Sequence, residues 1–204
     1  MDKKLETVAQ DIMKRYDKTF RLLAMSEQTE KRTSAQWWAE TKADPVKLMT
    51  WLHNQYHGEV TAAVRIRELI LVHSADEKWK DTVERIAKEE EVHAQWIADL
   101  ILARGGSPQC LEKKERYWDQ TLKQITDWDT GCAVAAHAEK MRLERIKAIC
   151  EDPDADADIK EVFGKILPQE EFHEKAFRSF TTDEAMLKTM EGHLAGLNEL
   201  GLVP

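Results

Sequence analysis

The chain has 204 residues, 42% of them hydrophobic and 33% charged, with a formal net charge of −8. That length suits one domain with room for helical additions, and the acidic balance gives a nucleic-acid surface no support. No apolar run approaches the ~20 residues of a membrane helix.

The N-terminal stretch MDKKLETVAQ lacks the apolar core of a signal peptide. The three cysteines, Cys110, Cys132 and Cys150, form no Cys-x-x-Cys pair, so a reducing cytoplasm is the expected location. With only 5 Pro and 8 Gly, the chain is expected to be mostly helical.

Residues 3–25 set Leu5, Val8, Ile12, Tyr16, Phe20 and Leu23 on one stripe, which predicts an amphipathic helix. It is read as a cover for the core, with contact to a second subunit as the alternative. Residues 26–45 are polar around Trp37 and Trp38, which are read as core residues plugging one end of the fold.

Pro45 opens a helix over 45–73, as proline does well in a first turn. Tyr56, Glu59, Ala62 and Ala63 share one face of it. Ser74-Ala75-Asp76-Glu77 reads as a capping box for a second helix over 75–103. Val83, Ile86, Glu90, His93 and Ile97 form its inner stripe, and Gly105-Gly106 ends it.

A partly helical connection over 107–125 leads to a third helix over 128–150. That helix is rich in alanine around Glu139 (Ala133, Ala135, Ala136, Ala138) and carries Arg142 three places later. The acidic turn EDPDADAD, 151–158, is read as a solvated loop whose aspartates cap the next helix.

The fourth helix, over 159–180, contains Pro168, which cannot donate to the carbonyl of Gly164 and crowds that turn. A kink or break just before Glu170 is expected, either opening a pocket or simply tolerated. Thr181-Thr182-Asp183-Glu184 caps a final helix over 184–200, a cover or a subunit contact.

One pattern runs across these elements. Glu-x-x-His occurs as Glu90–His93 and again as Glu170–His173, and a further glutamate stands 31 positions before each copy, Glu59 and Glu139. The two sets differ by a single offset of 80 residues. Residues i and i+3 point the same way on a helix, so each Glu–His pair can serve one centre.

From Glu59 to the turn at Ser74 is about 22 Å of helix, and the return to Glu90 is similar. A helical hairpin therefore brings Glu59 level with Glu90, and a second hairpin does the same for Glu139 and Glu170. One such motif alone reads as a solvated face; two copies with matching upstream glutamates read as a metal site. Four carboxylates and two imidazoles suit a pair of first-row ions, whose charge also offsets the cost of burying the acids. His57 and His137 repeat at the same offset, but each lies two residues before its glutamate, about 200° around the helix. They are not counted in the set. His53 and His57 share an i,i+4 spacing but have no acidic or cysteine partner in sequence, and they read as surface.

The duplicated set, Glu59, Glu90, His93, Glu139, Glu170 and His173, resembles that of the ferritin-like di-metal carboxylate superfamily, over about residues 46–180. The resemblance implies an all-α antiparallel four-helix bundle with a long crossover, here with extra N- and C-terminal helices. One domain over 1–204 is expected, divided into an N-terminal helix and loop over 1–44, a duplicated four-helix bundle over 45–180, and a C-terminal helix over 181–204. By analogy Glu90 and Glu170 would bridge the two metals. Glu59 with His93 would complete one, and Glu139 with His173 the other. Rubrerythrin-like peroxidases carry an extra carboxylate on the third helix and a four-cysteine iron site. This sequence has Arg142 at that carboxylate position and lacks those cysteines.

The function the resemblance implies is a di-iron oxidoreductase that uses O2 or peroxide, an unknown substrate and, for an oxygenase, an electron donor. Two iron ions are the expected cofactor, with two manganese ions as the alternative. Tyr56, one turn before Glu59, is the candidate catalytic residue, with a core role as the other reading. A ferroxidase or iron-storage protein and a dimanganese catalase are the alternative functions. No nucleic-acid or membrane partner is expected, and a homodimer is possible.

Overall fold

The computed structural model describes residues 32–73, 77–110 and 115–202. The helix expected over 3–25 and the Ser74 end of the capping box lie outside the described residues. Seven α-helices are present among those described: α1 Ser34–Lys42, α2 Pro45–His73, α3 Glu77–Ala103, α4 Arg116–Thr121, α5 Trp128–Glu151, α6 Ala157–Ser179 and α7 Asp183–Glu199. A single 3-10 turn, Leu122–Gln124, follows α4.

Local chemistry sets most of these boundaries. Asp44 Oδ1 accepts from the backbone N–H of Val46 at 2.9 Å and of Lys47 at 3.3 Å, which satisfies donors at the start of α2. Thr33 and Gln36 form a capping box on α1, and Asp127 with Thr130 forms another on α5. The Thr182 hydroxyl accepts from Ala185 N–H and starts α7. At the end of α3, Gly105 takes φ 75°, open to glycine at little cost, and Gly106 N–H returns to Ile101 O at 3.0 Å.

Helices α2 and α3 form one antiparallel hairpin, and α5 and α6 form the other. The two pack together through α3 against α6 and α2 against α5. Gly131 of α5 permits one close approach: a Cβ there would lie 2.2 Å from Leu69 Cδ1 of α2. Helix α1 lies on α2 and α5, while α7 covers α4 and α5. The last helix is thus a cover, one of its two expected roles.

Two apolar clusters fill the ends of the bundle. Trp38, Trp51, Leu52, Ile97, Ile101, Ile149 and Phe163 pack at one end, and Ile66, Leu69, Val83, Ile86, Cys132 and Phe177 at the other. Trp38 is 2% exposed and meets Trp51 edge-on with ring centroids 5.3 Å apart. Its indole N–H donates to Asp152 Oδ2 at 2.7 Å. The tryptophan pair therefore does close one end, from a short helix rather than from the irregular segment expected.

Two further expectations are met only in part. Helix α6 runs through Pro168 without a break. Pro168 and Gly164 are both on the exposed side, where water can take up the freed carbonyl; the proline does not open the bundle interior. Asp158 Oδ1 accepts from the backbone N–H of Ile159 at 2.8 Å in the first turn of α6, whereas the Asp156 side chain makes no cap hydrogen bond. It pairs with Arg104 at 3.1 Å, as Asp158 does at 2.8 Å, so much of the acidic turn is tied to the end of α3. No helix among the described residues is long and apolar enough to cross a membrane.

Candidate metal centre

Between the two apolar clusters lies a polar layer. Each of the four long helices contributes to it: Glu59 from α2, Glu90 and His93 from α3, Glu139 from α5, and Glu170 and His173 from α6. All six are buried, none more than 4% exposed. Because the hairpins are antiparallel, residues 31 apart in sequence arrive at the same height.

Two overlapping groups result. Glu59, Glu90, His93 and Glu170 offer ligand atoms within 4.8 Å of one another, and Glu90, Glu139, Glu170 and His173 do the same. Glu90 and Glu170 belong to both. His93 Nδ1 lies 3.8 Å from Glu59 Oε2 and 3.5 Å from Glu170 Oε1. His173 Nδ1 lies 3.1 Å from Glu90 Oε1 and 3.5 Å from Glu170 Oε2. The two imidazole centroids are 5.7 Å apart.

The donor set fits a metal pair on the chemistry of its unpaired atoms. Glu90 Oε1, Glu139 Oε2, both Glu170 oxygens and the Nδ1 atoms of His93 and His173 are buried without a hydrogen bond among the described residues. A buried polar atom left in that state costs about 1–3 kcal/mol, more for a charged group. Two cations between the carboxylates would satisfy all six.

Arg142 is the group that sequence reasoning placed on the right helix but not in the right role. Its guanidinium reaches into the layer, hydrogen-bonds Glu59, and stands 3.4 Å from Glu90, 3.3 Å from Glu170 and 3.7 Å from Glu139. One cation thus touches all four carboxylates. The signal was available in principle: Arg142 is three residues after Glu139, hence on the same face.

Proton affinities follow from this geometry. Burial works to raise Glu59, but Arg142 and the nearby His93 outweigh it and hold its pKa at about 2. Burial, opposed by Arg142 and reinforced by Glu170, pushes Glu90 up to about 7. Glu139 is raised well above the carboxylate range by burial and then by Glu170. Glu170 goes the other way: Arg142 overcomes the burial that would raise it. Burial lowers both imidazoles, yet the acids around them win, carrying His93 to about 10 and His173 to about 11. Without metal, the layer is held by protons and one guanidinium.

Each imidazole turns its Nε2 outward to a side chain that the sequence reading missed. His173 Nε2 is 2.9 Å from Glu89 Oε2, and His93 Nε2 is 2.8 Å from Gln169 Oε1. Tyr56 is half-buried against the tryptophan-rich cluster, and its hydroxyl makes no hydrogen bond among the described residues. His57 pairs with Glu115 at 2.6 Å, and His137 stacks on His193 at 4.5 Å, both outside the layer. Ala62, Ala63, Ala133, Ala136 and Ala138 are buried and let the helices pack closely.

An antiparallel four-helix bundle with a duplicated Glu/His set buried at its centre defines a ferritin-like di-metal carboxylate protein. A family model described as Rubrerythrin matches residues 51–181, most of the chain, and the chain belongs to that family. The position at which the resemblance implied an extra carboxylate is nonetheless Arg142 here. Among solved structures the chain is similar to Protein 43 with aldehyde deformylating oxygenase activity from Synechococcus. The TM-score is 0.69 at 22% identity, covering 84% of this chain and 88% of that one. At that identity the likeness is one of fold. No curated protein matches the sequence.

Proposed function

We propose that this protein is a di-iron oxidoreductase that uses O2 or peroxide. Glu59 and His93 would hold one ion, Glu139 and His173 the other, with Glu90 and Glu170 between them. The observation that carries this reading is the sharing of Glu90 and Glu170 by two overlapping ligand groups, the arrangement a dinuclear site requires and a mononuclear one does not. Imidazole and carboxylate donors together favour iron or manganese over calcium or magnesium. When bound, a ferrous pair supplies two electrons for reducing O2 or peroxide.

The chain's own residues do the rest. The unprotonated Nδ1 atoms and the four carboxylates take the metals, which requires release of the protons that now hold the layer together. The apolar clusters at either end exclude water and keep the polar layer dry. Tyr56 remains the candidate for a catalytic role, one helical turn from Glu59. Oxygenase chemistry is favoured over iron storage by the helices beyond the four-helix core. The activity named for the Synechococcus neighbour is one form that chemistry takes.

Elemental analysis of the purified chain tests the proposal. Two irons per chain and an oxidation-dependent near-ultraviolet band are expected, together with a monomer or dimer by light scattering. Two manganese ions with rapid H2O2 disproportionation would transfer the assignment to a catalase. A large hollow assembly would transfer it to storage. A chain that takes up no first-row metal would remove it.

A further inference from the structure

Glu89 and Gln169 each stand one place before the glutamate of a Glu-x-x-His motif, and they are counterparts under the 80-residue offset. Their contacts cross between halves. Glu89 on α3 meets the histidine of α6, and Gln169 on α6 meets the histidine of α3. Two matching positions therefore fix the outer nitrogens of the two imidazoles, but with different chemistry.

A carboxylate only accepts hydrogen bonds, so Glu89 requires Nε2 of His173 to carry a proton. A metal-binding His173 then has one possible tautomer, with the Nδ1 lone pair toward the acids. An amide offers both an acceptor and a donor, so Gln169 tolerates either tautomer of His93 by turning over. The charge on Glu89 also makes its imidazole the more basic ligand.

Glu89 is itself anchored: Arg85 Nε donates to its Oε1 at 2.9 Å, and the Arg85 guanidinium sits 4.6 Å from the Phe172 ring centroid. Phe172 is the residue before His173. Gln169 makes no second hydrogen bond among the described residues.

We propose that Glu89 and Gln169 are positioning residues that make the two metal positions unequal, with the His173 position the tighter and first filled. The inference rests on the dinuclear reading above. It is tested by anaerobic titration with Co(II), followed by visible absorption and by competition with a chelator. The intact chain is expected to bind two equivalents with affinities at least about tenfold apart. Glu89→Gln should weaken the tighter step by about 10–100-fold and bring the two steps together. Gln169→Glu should tighten the weaker step and also narrow the gap. Helix content and the metal-free melting temperature of each variant check folding.

If the intact chain binds two Co(II) ions with indistinguishable affinities, or Glu89→Gln leaves both steps unchanged, the positioning role is overturned while the dinuclear site stands. If the intact chain binds no Co(II), the dinuclear site itself falls, and this inference with it.

Discussion

The two hairpins match where they line the centre and diverge in most of what surrounds it. Glu59, Glu90 and His93 have counterparts in Glu139, Glu170 and His173. Three neighbouring positions break the match under the 80-residue offset: Ala62 corresponds to Arg142, Glu89 to Gln169, and Lys88 to Pro168. The outer layers diverge as well. On the α2 side His57 and Arg65 converge on Glu115, with Arg65 over Trp118 at 4.5 Å. On the α5 side His137 stacks on His193 and Arg145 lies 5.1 Å from the Trp37 ring centroid. Duplication preserved the groups that meet at the middle and left their supports free to differ, so a symmetric ligand set sits in an asymmetric frame.

The comparison breaks most severely at the shared glutamates. Glu90→Ala or Glu170→Ala, each common to both ligand groups, should lower metal content by more than about tenfold. Glu59→Ala and Glu139→Ala each belong to one group and should leave close to one ion per chain. Elemental analysis of the four variants separates shared from private ligands. Equal losses across all four would contradict the assignment.

Arg142→Ala makes the two halves alike at that position. In the metal-free protein it strips a buried counter-charge from four acids, and a loss of about 3 kcal/mol is expected. With metal bound the penalty should shrink, because the ions replace the guanidinium. Thermal melts with and without metal measure both quantities, and an equal loss in the two states would show that Arg142 does not exchange with metal.

The outer layers should respond to different pH ranges. Burial, then His137 and Lys140, hold His193 neutral with a pKa of about 3, against an ordinary value of 6.5. The unfolded chain therefore binds the extra proton first, and stability falls as pH drops below 6.5. A loss of about 2 kcal/mol by pH 5 is expected from this group. On the α2 side Glu115 is depressed below 4.5: burial raises it, but His57 and Arg65 prevail. Its contribution is complete above 4.5 and fades as pH falls through its lower folded value. At partial exposure that amounts to about 0.5 kcal/mol. Melting temperatures of His193→Gln and Glu115→Gln across pH 2–8 should flatten in these two windows respectively.

The smallest effect is at Pro168. Pro168→Lys, the residue of the matching helix, restores a backbone donor in an already continuous helix and should stabilise by about 1 kcal/mol. Chemical denaturation measures it, and destabilisation would mean that the proline is required for the local geometry of α6.

Much of the fold was legible because the sequence marks it locally. The helix expected over 45–73 is α2, Pro45–His73, and the one over 128–150 is α5 to within a residue. Proline, caps and glycines set those ends, and all are short-range. The six buried Glu and His groups were also legible, since a spacing of three on a helix and one repeat offset suffice to align them. The helix around Trp37 and Trp38 was missed because its polar composition hides a stripe only two side chains wide.

The sequence by itself determined the four rods, their antiparallel pairing and the six groups at one height, because periodicity and segment length are enough to compute register. Only the tertiary structure decided which side chains cross between rods: Arg142 into the acids, Glu89 to His173, and Gln169 to His93. Those contacts depend on how the two hairpins rotate and dock, and that geometry is set by the packing of residues far apart in the chain rather than by any local pattern.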